Sequence, residues 1–280
     1  MDYFDLNLRK DHQCRMTNDN DNNDDGNNHK RWASKIDEYN LLDLIGSGSF
    51  GRVFRSYCRT NGRECAIKCI SKQNSRTNLN KIRSEVYIHI RLCHPNILQL
   101  FTVLEDRKAV YLIMEICRGG SLSQLIMREK CKNQSSTIFP ILAYPLISSL
   151  LLQICDALEY LHRNRIVHRD INLNNILLTR PYCPRRKILN IKLADFGLAI
   201  DQKLLTADTT IHDDHDDEFG STICGTPGFI SPEIWNQKQS VSHKSDIFSL
   251  GSILYACITG HTPKNDIVSS VDFFQNNSIQ

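Results

Sequence analysis

The run His168-Arg169-Asp170-Ile171-Asn172-Leu173-Asn174-Asn175 sets one carboxylate five positions ahead of one amide, directly after an apolar stretch. A loop carboxylate can accept a hydroxyl proton and an amide oxygen can hold a hard cation, so this spacing suits phosphoryl transfer. A lone His-Arg-Asp triplet is also an ordinary turn with solvated charges, and its meaning rests on its company. Gly46-Ser47-Gly48-Ser49-Phe50-Gly51 lies between two apolar runs. Such a turn lets backbone N–H groups approach phosphate oxygens with no Cβ in the way, although a simple hairpin has the same composition. Lys68 is the single cation in the apolar run Cys65 to Ile70. Asp195-Phe196-Gly197 ends another apolar run and offers a second carboxylate, and two hard Mg²⁺ ions take oxygen ligands of this kind.

The elements that must position these residues follow from periodicity. Leu41 to Ile45 and Arg52 to Tyr57 read as strands flanking the glycine turn, and Cys65 to Ile70 as a third. Leu79 to Leu92 places Ile82, Val86 and Ile90 at helical spacing with Glu85 among them. His89 on that helix reads as a core histidine. Ala109 to Cys117 is an apolar strand that breaks at Arg118-Gly119-Gly120. Leu122 to Met127 reads as a short helix, Cys131 to Tyr144 as a proline-bearing connector, and Leu146 to His162 as a buried helix. Ile176 to Leu178 and Ile188 to Ala194 read as strands joined by a basic loop at 180–187. That loop is a solvated insertion or a docking patch.

Composition narrows the classes. The chain has 280 residues, 41 % of them hydrophobic, and a formal net charge of +3, which fits a globular protein with a substantial core. No Lys/Arg block is interleaved with aromatics, so nucleic acid is not expected as a partner. The run Ile138 to Ile154 carries Pro140, Pro145 and two serines and is short for a bilayer, so no membrane segment is expected. Eleven cysteines without a CxxC pair or a leader suggest reduced thiols. Residues 1–36 read as a disordered Asn/Asp-rich tail. His212-Asp213-Asp214-His215-Asp216-Asp217-Glu218 reads as a solvated acidic loop before a metal site, because no regular element fixes its geometry.

Taken together, these motifs resemble the eukaryotic protein kinase family over roughly residues 38–265. The loop matches HRDxxxxN, Ala66-Ile67-Lys68 matches VAIK, Asp195-Phe196-Gly197 matches DFG, and Ser231-Pro232-Glu233 stands where the family has APE. The resemblance implies an α+β, two-lobed fold. Residues 38–117 would form an antiparallel sheet with one helix, and 118–280 a mainly helical lobe cut short after a helix at 246–259. It implies ATP and Mg²⁺ as cofactors and protein Ser/Thr hydroxyls as acceptors. Gly46, Ser47, Gly48 and Gly51 would then cover the phosphates, and Lys68, paired with Glu85, would bind them. Val53, Ala66 and Leu177 would contact adenine, with Met114 at the back of the pocket and the backbones of Glu115 and Cys117 hydrogen-bonding it. Asp170 would be the base, and Asn175 and Asp195 the metal ligands. Arg169 would grip a phosphate on Thr222, and Thr226, in the Ser/Thr-type segment Gly225-Thr226-Pro227, would bond Asp170.

Within the family, Ile88-His89, Cys117, Asn175 followed by Ile176-Leu177-Leu178-Thr179-Arg180, and Thr222 ahead of Cys224-Gly225-Thr226-Pro227 resemble polo-like kinases of the Sak type. This implies a cytoplasmic protein with a centrosomal or centriolar, cell-cycle setting, and self-association through regions absent from this chain. Gly51 stands where that type often has alanine. The runners-up are Aurora-like or unc-51-like kinases. Asn172 occupies the position of the usual phosphate-binding lysine, a loss of about two to three powers of ten in rate if nothing replaced it. The chain also stops before the remaining helices, the arginine partner of Glu233 and any polo box. A truncated nucleotide-binding scaffold is therefore the rival reading, and sequence beyond Gln280 would discriminate.

Overall fold

In this structure, a computed structural model, residues 32–48, 51–73, 79–132, 140–185, 189–207, 224–236 and 242–263 are described. Thr222, Ser49, the acidic run 212–218, residues 1–31 of the tail expectation and everything after residue 263 lie outside them. The chain forms two compact units, one from 1–93 with 98–116, the other from 94–97 with 117–280.

In the first unit β1 (Tyr39–Gly48) and β2 (Gly51–Cys58) form an antiparallel hairpin whose last pairs are Ser47 with Arg52 and Gly48 with Gly51. β3 (Glu64–Ser71) pairs with β2 on one side and β5 (Ala109–Met114) on the other, and β4 (Leu100–Glu105) completes the sheet in the order β1-β2-β3-β5-β4. Central β3 buries Cys65, Ala66 and Ile67 in succession, the unbroken apolar pattern of a strand covered on both faces. Helix α1 (Leu79–His89) turns Ile82, Glu85, Val86, Ile88 and His89 inward at helical spacing.

The tail expectation is corrected at residues 32–36. Ala33 is buried, Trp32 stacks on Phe101 at 4.5 Å between ring centroids, and the Tyr39 hydroxyl donates to the Ala33 carbonyl at 3.1 Å. Trp32, Ala33 and Ile36 supply the apolar surface that the preceding Asn/Asp tract lacks, which offsets the entropy of ordering.

The second unit is built on α3 (Tyr144–Arg163), which follows α2 (Leu122–Lys132). α3 buries Leu146, Ile147, Leu150, Ile154, Ala157, Leu158 and Leu161 along one stripe. Each fully buried Leu or Ile there contributes about 1.5–3 kcal/mol. α2 runs past the expected end at Met127, because Arg128, Glu129 and Lys130 are good helix formers. The strands β6 (Ile166–Val167), β7 (Ile176–Leu178), β8 (Ile191–Leu193) and β9 (Ile200–Asp201) pair antiparallel as β6 with β9 and β7 with β8. The short helices α4 (Gln202–Ala207) and α5 (Pro232–Trp235) follow.

The last described helix is α6 (His243–Thr259). It begins three residues before the expected 246 because the Ser242 hydroxyl caps it, accepting from the Lys244 N–H, and it ends at Gly260 in a left-handed conformation. The segment 94–97 joins this unit: the Asn96 side chain donates to Gln153 Oε1 at 3.0 Å and to the Ile191 carbonyl at 3.2 Å, and Ile97 bridges to Leu193. An α+β architecture is thus present, with the antiparallel sheet and one helix in the first unit and helices dominating the second. Among the described residues no helix is long and apolar enough to cross a membrane.

Nine cysteines among the described residues are free thiols. Burial pushes Cys65 and Cys257 each up to about 12, so these two are inert packing residues rather than nucleophiles.

Candidate active site

The strand register of the first unit puts most of its expected nucleotide contacts on one face of the sheet, with Ser47, paired with Arg52, on the other. Gly46 lies opposite Val53, Val53 opposite Lys68, Lys68 opposite Leu112, and Ala66 opposite Met114. Residues directly opposite, or two apart along one strand, share a face. Gly46, Gly48, Gly51, Val53, Ala66, Lys68 and Met114 therefore form one surface, its middle built from the small or apolar side chains that a flat heteroaromatic ring would require. Gly51 is needed for a close approach, since a Cβ there would lie 2.5 Å from the Cys69 carbonyl oxygen. This accounts for glycine at a position where the Sak type often carries alanine.

Lys68 Nζ donates to Glu85 Oε1 at 2.8 Å, with the two side chains 12 % and 6 % exposed. The pair is nearly dry, so each charge depends on the other. α1 is held in the register that delivers Glu85 partly by His89, whose ring Nε2 sits 2.7 Å from the Leu98 carbonyl. At the end of β5 the Glu115 N–H donates to the Gln99 carbonyl at 2.9 Å. Cys117 is half-buried and opens the second unit, where the N–H groups of Arg118 and Gly119 pair with the Thr179 and Leu178 carbonyls. Leu177, half-buried on β7, lies in the same unit.

The other half of the expected site is the loop between β6 and β7. Asp246 on α6 is fully buried, and its two carboxylate oxygens accept the backbone N–H groups of His168 and Arg169, each at 3.0 Å. His162 on α3 reaches the same carboxylate at 2.9 Å. One buried acid thus ties two helices to the start of the loop. His168 Nδ1 accepts the Asp170 N–H at 3.3 Å, so its proton sits on Nε2, which donates to the Ala194 carbonyl at 3.2 Å. The ring also rests on Phe196, with centroids 4.9 Å apart. Arg169 adopts φ 66 and its Nε donates to the Leu198 carbonyl at 2.7 Å. Burial lowers its pKa from the usual arginine value, while Cys224 and Asp246 work the other way, and it remains a cation.

Asp170 is surrounded by donors. Its Oδ1 accepts the Thr226 hydroxyl at 2.7 Å and the Asn172 amide at 3.0 Å, and its Oδ2 accepts the Asn175 amide at 2.9 Å. Asn175 Nδ2 also donates to the Asp170 carbonyl at 2.9 Å, which leaves the Asn175 amide oxygen as its metal-seeking atom. The Asn175 carbonyl accepts the Ala194 N–H at 2.8 Å, setting Asp195 next in line. Asp195 is exposed and held at φ 64, an uncommon conformation outside glycine that is typical of constrained functional residues.

Residues 39–278 match the protein kinase domain family. The chain belongs to that family. This kinase domain is 36 % identical over 240 residues to the serine/threonine-protein kinase PLK4 of Drosophila virilis, covering 84 % of this chain and 27 % of that relative. It is 35 % identical over 233 residues to the PLK4 of Nematostella vectensis, covering 82 % and 21 % of the two chains, and 36 % identical over 235 residues to that of Aedes aegypti, covering 83 % and 27 %. The chain thus spans about a quarter of the length of the relatives it matches.

One carboxylate and one amide are a sparse cage for Mg²⁺, and no group of three or more His, Cys, Asp or Glu residues among the described residues is placed to hold a metal. The pair nevertheless fits that ion, which characteristically takes one or two protein oxygens and completes its shell with phosphate and water. The run Asp246 to Gly251 resembles the helix that anchors the catalytic loop in the family, and the atoms that do so here are the Asp246 carboxylate oxygens on the His168 and Arg169 N–H groups. The bonding role of Asn172 is not legible in the sequence, because a substitution away from lysine reads as a lost charge and its contacts cannot be read from a string.

Proposed function

We propose that the protein of which this chain is part transfers the γ-phosphate of ATP to serine and threonine hydroxyls of proteins. The observation that supports this most is the Asp170 carboxylate, oriented by Thr226, Asn172 and Asn175 in a loop pinned by Asp246. In this reading Asp170 takes the proton of the acceptor hydroxyl. Lys68, oriented by Glu85, binds the phosphates beneath the glycine-rich hairpin, and the backbones of Glu115 and Cys117 bind adenine, with Val53, Ala66, Met114 and Leu177 around it. Mg²⁺, held by Asp195 and Asn175 together with phosphate oxygens, would neutralise the charge that develops on the transferring group. Phosphoamino-acid analysis of the full-length protein incubated with ATP and casein is expected to yield phosphoserine and phosphothreonine. Phosphotyrosine alone would remove the assignment. A centrosomal setting belongs to the same proposal through the resemblance to the Sak type, and co-staining with a centriole marker decides it.

Regulation by Thr222 is part of this reading. Phosphate on Thr222 would place close to two negative charges within reach of Arg169, whose guanidinium can bind it bidentately. Thr222→Ala is expected to remove the rise in rate that follows preincubation with ATP, while Ser221→Ala keeps it. The opposite pattern, or no change in either variant, sinks the assignment.

A further inference from the structure

We propose that Asn172 is a positioning residue for phosphoryl transfer: it locks Asp170 to Thr226 through a neutral bridge and leaves Asp170 Oδ2 as the oxygen that receives the proton. This rests on the reading of Asp170 as the base.

Asn172 is 3 % exposed. Its Oδ1 accepts the backbone N–H groups of Asn174 at 2.8 Å and Asn175 at 3.3 Å. Those two donors fix the amide's orientation, because a flipped amide would set its NH₂ against them. Its Nδ2 therefore points the other way, to the Thr226 hydroxyl at 2.9 Å, Asp170 Oδ1 at 3.0 Å and the Asp170 carbonyl at 3.2 Å. The Thr226 hydroxyl, accepting from Asn172, donates its own hydrogen to Asp170 Oδ1 at 2.7 Å. Asp170, Thr226 and Asn172 thus close a triangle in which every hydrogen has an assigned acceptor.

A carboxylate oxygen has two lone-pair directions. Oδ1 uses both, one for Asn172 and one for Thr226, whereas Oδ2 uses one, for Asn175. The remaining lone pair on Oδ2 is the one able to receive a hydroxyl proton. In the step that follows, the acceptor hydroxyl's O–H bond breaks and its proton binds Oδ2. The freed pair on the acceptor oxygen forms the new bond to the γ-phosphorus, and the bond from that phosphorus to the bridging oxygen breaks with its pair leaving on ADP.

Thr226 can reach the triangle because Gly225 stands at φ 118, where a Cβ would lie 2.9 Å from the Arg169 carbonyl oxygen. Asn172 thereby links the end of the segment that carries Thr222 to the orientation of the base. A lysine at this position would bring a positive charge to the phosphates. Asn172 brings none, so charge neutralisation falls to Lys68 and the metal, and Asn172 contributes geometry alone.

The test uses the full-length protein and separates binding from chemistry. Asn172→Ala removes both halves of the amide, whereas Asn172→Asp keeps the acceptor for the two backbone N–H groups, removes the donor and sets a second carboxylate against Asp170. Both variants are expected to lower kcat by about tenfold to a hundredfold, the usual consequence of a misaligned catalytic group, with KM for ATP changed less than twofold. Thr226→Ser keeps the hydroxyl and should stay within threefold of wild type. Thr226→Val combined with Asn172→Ala should lose no more than the worse single variant, as members of one network do. Wild-type kcat in Asn172→Asp, a loss confined to KM for ATP, or multiplicative losses in the double variant would each overturn the proposal. If the unsubstituted protein transfers no phosphate, the reading of Asp170 as the base fails by itself. Amide hydrogen exchange then judges the bridge: Asn172→Asp should speed exchange across 225–230 while α3 and α6 stay protected, and equal protection of 225–230 in both proteins would overturn it.

Discussion

Asp170→Asn in the full-length protein is expected to slow phosphate transfer to a protein hydroxyl by about two to four powers of ten, with the affinity for ATP within a few-fold of wild type. The substitution keeps the size of the side chain and removes its ability to take a proton. The surroundings amplify the effect. Thr226, Asn172 and Asn175 all aim donors at the carboxylate, and an asparagine can face only one side of that ring of donors with its oxygen. Its NH₂ group would then oppose either Asn175 or the Thr226–Asn172 pair, a donor against a donor at a cost of about 1–3 kcal/mol. A modest drop in thermal stability should therefore accompany the loss of rate. Steady-state kinetics beside a melting curve check both halves, and turnover within tenfold of wild type would mean that another group accepts the proton.

Lys68→Met should abolish transfer and, in contrast to what the sequence suggests, should also destabilise the fold. A strand lysine reads as a phosphate ligand whose loss leaves the core untouched. The expected pair with Glu85 forms at 2.8 Å, but with both side chains largely withdrawn from water. Removing one partner of such a pair strands the other, typically at about 3–5 kcal/mol. The double variant Lys68→Met with Glu85→Leu separates the two consequences. It replaces the ion pair by apolar surface, which is often neutral or stabilising, so it should recover most of the lost melting temperature and none of the activity. Recovered activity would remove Lys68 from phosphate binding, and a melting temperature unchanged in Lys68→Met would show that the pair has no role in stability.

Much of this arrangement is visible in the string of residues because the chemistry needs particular atoms at particular spacings. The strand around Lys68, the helix that carries Glu85 and the loop from His168 to Asn175 each follow from apolar periodicity interrupted by a polar residue that has no reason to be there on packing grounds. What stayed hidden depends on contacts far apart in sequence. The run from Asp246 resembles the helix that anchors this loop, but the bonds themselves, from the His168 and Arg169 N–H groups across 78 and 77 positions to the Asp246 carboxylate, are encoded by no local pattern. Asn172 bonds Thr226 across 54 positions, and only that contact turns a missing lysine into a substitute with its own geometry. The start of the folded region is hidden for a related reason. Trp32 gains its value from Phe101, so a composition window centred on the Asn/Asp tract cannot see it.

The segment His94-Pro95-Asn96-Ile97 has a consequence for how the chain assembles and for how it can be divided. It lies between α1 and β4 in sequence, yet its partners are Gln153, Ile191 and Leu193, the last donating its N–H to the Asn96 carbonyl at 2.8 Å. During synthesis these four residues emerge well before any of those partners, and Asn96 waits for Ile191 across 95 positions. Closure of the second unit is therefore a high-contact-order event, slow relative to the local hairpins that precede it. No single peptide break separates the units either. A fragment beginning at Cys117 would leave the Leu193 N–H and the Gln153 amide without the asparagine that engages them, and a fragment ending at Ile116 would carry Ile97, 1 % exposed in the intact chain, into water. Two such fragments mixed together should each be incomplete alone and complement one another through this four-residue clasp.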